Sequence, residues 1–116
     1  IVFVDEFLKS KNANGKLEIR KGYPFLQNDE TLTRVSMKNA KVYLGEQNVE
    51  EMDIRMTAED FSYYSQQVPA CFFRLGIRNE DLGIVHGVHH AQFDIDKNAL
   101  KVGAGVMAYL AIKALD

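Results

Sequence analysis

Apolar positions recur along the chain with two periods. Between Asn28 and Gly45, Leu32, Val35, Ala40, Tyr43 and Leu44 fall close to one face of a helix. Asn28-Asp29 offers its N-cap and acids for its positive end, and Gly45 is the expected residue past its end. From about Lys97 to Leu115 the chain is apolar nearly all round, which predicts a helix that is buried or sandwiched, capped by Asp94 or Asp96. Gly103 and Gly105 inside it each cost roughly 1 kcal/mol against alanine, so they predict a neighbour at close approach. Thr57-Ala58-Glu59-Asp60 resembles a capping box, and Phe61, Tyr64 and Val68 follow it at helical spacing.

The second period is two. Lys16 to Tyr23 alternates Leu17 and Ile19 with Glu18 and Arg20, as a half-buried strand does. Gly22-Tyr23-Pro24 breaks it, and Val49 to Met56 and Ala70 to Leu75 are further predicted strands, the last compact enough to be buried. Lys11 to Gly15 is the clearest turn signal, and Asn79 to Gln92, with Gly83 and Gly87, reads as loop. Ile1 to Ser10 reads either as a helix end with Val4, Phe7 and Leu8 on one face, or as a short strand and turn. Strands alternating with helices predict the α/β class, a sheet covered by helices.

Composition narrows this picture. The 116 residues fit one ordinary domain, and 47% hydrophobic with 26% charged residues excludes disorder and low-complexity character. A formal charge of -2 leaves no basic footprint for nucleic acid or an anionic membrane. The longest apolar stretch, Val102 to Ile112, falls short of the ~18–20 residues of a spanning helix. No basic run precedes the first apolar residues, so a cytoplasmic protein is the expectation. The apolar start at Ile1, without an initiator methionine, raises the expectation that the chain belongs to something longer.

Three features have residue types suited to chemistry. All three histidines, His86, His89 and His90, lie within five residues of one Gly-containing loop, with Asp94 close behind. Neutral imidazole is the commonest metal ligand, and a carboxylate can fix its tautomer. A closed zinc site needs four ligands, so a local site requires Asp81, Asp94 or Asp96 to fold back; otherwise the histidines are polar loop residues bonding locally. Glu59-Asp60 either holds a catalytic water or a substrate amine, or caps a helix, and capping is the simpler account. The single cysteine, Cys71, sits in the most apolar predicted strand and reads as a buried, inert thiol. Tyr63-Tyr64 and Phe72-Phe73 read as core.

Taken in order, Gly22-Tyr23-Pro24 with Asn28-Asp29, then Met56 to Tyr63, Val68 to Gly76, and His89-His90-Ala91-Gln92-Phe93-Asp94-Ile95-Asp96 with Ala99-Leu100 and Gly103 form a recognisable series. The series resembles the C-terminal part of the metal-dependent aminoacylase/carboxypeptidase amidohydrolases, in the branch of hippurate hydrolase and the indole-acetyl-amino-acid hydrolases. It runs from Arg20 to Leu115.

The resemblance implies a two-lobed homodimeric enzyme, an α/β catalytic domain with an α+β lid and dimerisation domain inserted in it. Residues 1–21 would end the lid and 22–116 would form the C-terminal part of the catalytic domain. Such enzymes hydrolyse the amide bond of N-acyl amino acids or small peptides with a metal-activated water, using two divalent ions (zinc, manganese, cobalt or nickel) and a glutamate base. The last metal ligand of the family maps onto His89. His90 would neighbour the substrate pocket, Phe93 and Asp94 would fix the loop, and Glu59 and Asp60 would line the pocket without an assigned role. The family's remaining ligands and its general base have no counterpart here, and Cys71 is not beside a histidine. No catalytic residue is therefore assigned, and the isolated chain is expected to be inactive and to hold no metal tightly. Thr57-Ala58 stands where relatives often have Gly-Ser, and Ala91 where many have Pro. Two other readings stay open: a free-standing, non-enzymatic α/β binding or dimerisation module of the same ancestry, and an unrelated α/β domain with its own histidine-loop metal site.

Overall fold

Four helices joined by long extended segments make up the computed structural model, which describes residues 2–115. They are α1 (Val2–Ser10), α2 (Glu30–Leu44), the single turn α3 (Ser62–Ser65) and α4 (Asn98–Leu115), with a 3-10 turn at Glu46–Asn48. The N-terminal segment is thus helical, with Val4 and Leu8 half-buried while Phe3 and Phe7 stay exposed. Ile1, where that predicted segment starts, lies outside the described residues. The following turn forms as expected, with Asn12 at φ 48° and Ala13 N–H donating to Leu8 O.

Helix α2 starts and stops where its sequence says it should. Asp29 is extended, and its carboxylate accepts from Leu32 N at 2.7 Å, satisfying one of the first free amides. The helix ends at Gly45, whose φ of 91° an L side chain rarely adopts. Helix α4 begins behind Asp96, whose carboxylate accepts from Asn98 N at 2.9 Å; of the two predicted caps, Asp96 is the one used.

The two glycines of α4 are seats. A Cβ on Gly103 would lie 2.8 Å from Leu75 Cδ2, and one on Gly105 would collide with the Tyr43 hydroxyl. The Tyr43 ring also lies 5.1 Å from that of Tyr109, so α2 packs on α4 at Gly105 and Tyr109. The packing covers one stripe of α4 only. Ala99 and Val106 are buried, whereas Leu100, Met107, Ile112 and Leu115 are exposed, so the predicted buried or sandwiched helix is covered on one side within this chain. The whole helix is 18 residues, longer than its apolar centre, and by length and composition alone it could cross a membrane. The glycine seats for Leu75 and Tyr43 account for its covered side, while most of its apolar surface is exposed within this chain.

The three predicted strands do not form, and their residues have no ladder partner among the described residues. Residues 16–21 are exposed, yet Arg20 Nε and Glu18 Oε1 meet at 2.7 Å, the same-side relation of alternate residues in extended backbone. Ile54 and Met56 are 92% and 97% exposed. Residues 70–72 are held by polar groups instead of a strand. Asn28 Nδ2 donates to Phe72 O at 2.8 Å, Phe72 N donates to Asn28 Oδ1 at 2.7 Å, and Asp29 N donates to Ala70 O at 2.8 Å. Asn28 is thus a backbone clasp, and the capping falls to Asp29 alone. Cys71, predicted buried, is half-buried, because its segment is covered from one side.

The helix predicted after Asp60 shrinks to α3. Val68 lies beyond it because Pro69 disfavours helical backbone at the preceding residue. Thr57 does not act in a capping box; Glu59 Oε1 accepts from Phe61 N at 3.2 Å, and Glu59 O accepts from the hydroxyl of fully buried Ser62. Around this turn Phe61 packs on Phe72 and Tyr64, with centroids 5.6 and 5.8 Å apart, and Tyr23 meets Tyr63 edge-on.

The whole is elongated. A compact chain of this length has a radius of gyration of about 13 Å; here it is 20.8 Å. Ala70, Ala99 and Val106 are the buried apolar side chains among the described residues.

Two expectations follow. Asn28→Ala removes both bonds to Phe72 and is expected to destabilise the protein by about 1–3 kcal/mol, read as a lower urea midpoint at unchanged slope; an unchanged midpoint would contradict the clasp. Asp96 carries a lowered pKa, caused first by the Asn79 side-chain amide and then by the Asn98 backbone amide. Its charged form is favoured in the folded state, so its contribution is present above the ordinary aspartate pKa and lost as pH falls through the lowered folded value. In a carboxyl NMR titration, Asn79→Ala is expected to move the Asp96 midpoint upward, and no movement would contradict the assignment.

Candidate functional site

The histidine loop stands on two braced stems. On one side Asn79 and Ile84 exchange backbone hydrogen bonds of 3.0 and 2.8 Å around a turn with Gly83 at φ 70°, and Arg78 Nη1 donates to Val85 O at 2.8 Å. On the other, Asp96 N donates to Ile77 O at 3.0 Å and Asp96 Oδ2 accepts from Asn79 Nδ2 at 2.7 Å. Asn79 therefore ties the two stems together at the base of the loop.

At the tip, His89 has φ 75°, a left-handed conformation that costs a non-glycine residue about 1–3 kcal/mol. Its imidazole is exposed and makes no hydrogen bond, ion pair or ring contact among the described residues. The two neighbours differ. His86 and His90 stack face to face, with centroids 4.0 Å apart and planes 2° from parallel, and His90 Nδ1 accepts from Gln92 N at 3.1 Å. Backbone bonds from His90 N to Gly87 O and from Phe93 N to His90 O close the turn. Asp94, expected to fix the loop, spends its carboxylate on the adjacent Ile95 N.

An imidazole is a common metal ligand, but one alone does not make a site. Among the described residues no group of three His, Cys, Asp or Glu side chains is placed to hold an ion. Asp81 and Asp94 do not fold back onto the histidines by any hydrogen bond, and Asp96 is turned to Asn79 and Asn98. What the loop offers is one unengaged imidazole on a braced turn, which fits one ligand of a site completed from elsewhere.

Glu59 and Asp60 form a second locus. Glu59 is half-buried and used in the turn ahead of α3, as the capping account has it, while Asp60 is exposed. No hydrogen bond, ion pair or ring contact among the described residues links them to the histidine loop. Surface depressions lie along α2, beside Arg34, Lys38 and Glu46, and between residues 25–30 and 65–70; none of the three histidines, Glu59 or Asp60 lines them. Sequence reasoning missed the His86–His90 stack. Their spacing of four residues around Gly87 was the available signal, since a tight turn brings such positions together.

Comparison with known proteins places these features in a family. The chain is 40% identical over 93 residues to IAA-amino acid hydrolase ILR1-like 6 of Arabidopsis thaliana, covering 80% of this chain and 20% of that protein. It is 37% identical over 91 residues to thermostable carboxypeptidase 2 of Saccharolobus solfataricus, covering 78% and 22%. It is 37% identical over 100 residues to the putative amidohydrolase YhaA of Bacillus subtilis, covering 86% and 25%. The chain thus spans about a fifth to a quarter of the length of these relatives. No solved structure matches it. Residues 11–113 match peptidase family M20/M25/M40, so nearly the whole chain lies within that family, and the chain belongs to it.

Proposed function

We propose that this chain is the C-terminal part of a metal-dependent amidohydrolase, with residues 1–21 closing a lid and dimerisation domain and 22–116 belonging to an α/β catalytic domain. The observation that carries the reading is His89, a single unengaged imidazole held at φ 75° within a chain matched to the family over residues 11–113. The names of the relatives, hydrolases of an amino-acid conjugate and carboxypeptidases, support an N-acyl amino acid or small peptide as substrate. The exposed face of α4 and the unpaired segments 16–23, 49–56 and 70–75 are suited to cover and strand partners from the remainder of such a domain.

Two bound divalent ions, zinc, manganese, cobalt or nickel, would supply Lewis acidity for activating water and polarising the amide carbonyl. This chain's part is to present the His89 imidazole at a fixed height above the Asn79–Asp96 base. His90, its Nδ1 occupied by Gln92 N–H, carries its proton on Nε2 when neutral and presents a donor beside the pocket. Glu59 keeps the turn at Ser62 in place, and Asp60 is free to face substrate. The general base is not among these residues, so the chain by itself is inactive. The protein acts as a cytoplasmic homodimer without nucleic acid or membrane partners.

In the full-length protein, His89→Ala is expected to lower kcat/KM on N-acyl amino acids by on the order of 100-fold or more, since even partners of metal ligands cost 10–100-fold. Metal content by elemental analysis should fall with it. His86→Ala and His90→Ala should each cost clearly less. Equal losses in all three would favour an autonomous three-histidine site. A full-length protein without hydrolytic activity or metal would favour the non-enzymatic module.

A further inference from the structure

We propose that His86 is a positioning residue for His89, acting through the stacked ring of His90. This rests on the reading of His89 as a metal ligand. The two stacked histidines occupy opposite flanks of the turn Gly87-Val88-His89, so their ring contact closes it across its mouth. The flanks are held unequally. His86 is half-buried and follows Val85, whose carbonyl is pinned by Arg78 at 2.8 Å, and Ile84 before it is bridged to Asn79. His90 is exposed, and its further ties, to Gly87 O, Gln92 N and Phe93 N, all lie within the tip itself. The ring contact therefore ties the residue next to His89 directly to the stem braced by Arg78 and Asn79.

The arrangement also explains why the two outer histidines are poor candidates for ligands of the same ion. Their rings lie face to face with planes 2° apart, so their lone pairs lie in separate, parallel planes and do not converge on one point. One His90 nitrogen already accepts the Gln92 amide. The geometry separates three similar side chains into one donor and a two-ring clasp.

The test compares His86→Ala, which removes the ring, with His86→Phe, which keeps a flat face and removes both nitrogens, in the full-length protein. The first readout is hydrogen exchange at the Gln92 amide of the metal-stripped protein, which does not depend on any ligand role. The second is manganese affinity, with kcat and KM measured separately. His86→Ala should speed Gln92 exchange at least about fivefold and weaken manganese binding roughly 10-fold, within the range for groups that orient a ligand. It should lower kcat while KM stays within about twofold. His86→Phe should restore exchange and affinity to near the parent values. Unchanged exchange in His86→Ala, or failure of His86→Phe to rescue it, overturns the clasp. Faster exchange with unchanged manganese affinity overturns the positioning role, provided His89→Ala loses the metal. If His89→Ala keeps the metal as well, the ligand reading itself has failed, and the positioning role falls with it.

Discussion

The pair of hydrogen bonds between the Asn28 amide and the backbone of Phe72 substitutes for a strand partner. A side-chain amide carries one donor and one acceptor side, the same complement that a neighbouring strand would offer at that residue. Asp29 adds its backbone N–H to Ala70 O and turns its carboxylate to Leu32 N, so two adjacent residues fix an extended segment and start a helix at once. Because Phe72 then carries Phe61, and Phe61 carries Tyr64, the turn that holds Glu59 is placed by the same contact. A chain with so little buried apolar surface has few other means of ordering these segments against one another.

Short polar links play the same part at the other end. Asn79 reaches Asp96, and Asp96 reaches Asn98, so one aspartate joins the base of the histidine loop to the first turn of α4. Its lowered pKa is the electrostatic trace of those two donors. None of these links is individually strong. Each is specific in direction, which apolar contact is not, and direction is what orders a loop with so little apolar cover.

What the sequence made legible follows from how local each determinant is. Helix α2 was readable from Asp29 to Gly45 because its bonds join residues four apart and its ends are marked by residues with one physical use there. The glycine seats were readable because glycine inside an apolar helix is costly without a neighbour, and Leu75 and Tyr43 proved to be those neighbours. His89 was singled out through a family motif, whereas its left-handed backbone was not. The predicted strands were legible only as alternation or apolar runs, and no ladder partner for them lies among the described residues. Of the pair Asn28-Asp29 offered as the N-cap, Asp29 fills that place, while the use of Asn28 depends on residue 72 and is not visible locally. Glu59 displaced Thr57 for a related reason: α3 begins later than the pattern implied, so the side chain in reach of a free amide changed.

The donor and the exposed helix are mechanically one problem. Asp96 caps α4 and also anchors Asn79, which closes the stems beneath His89. A shift of α4 along or about its axis moves Asp96, and with it the base on which the imidazole stands. One stripe of α4 is fixed by Leu75 and Tyr43 at its glycines, and the opposite stripe, with Leu100, Met107 and Ile112, is open. Burying such a stripe is worth about 25 cal/mol for each Å² of apolar surface, far more than any one polar link in the loop. A contact on that open stripe that shifted the helix would, through Asp96 and Asn79, also shift the base of the histidine loop.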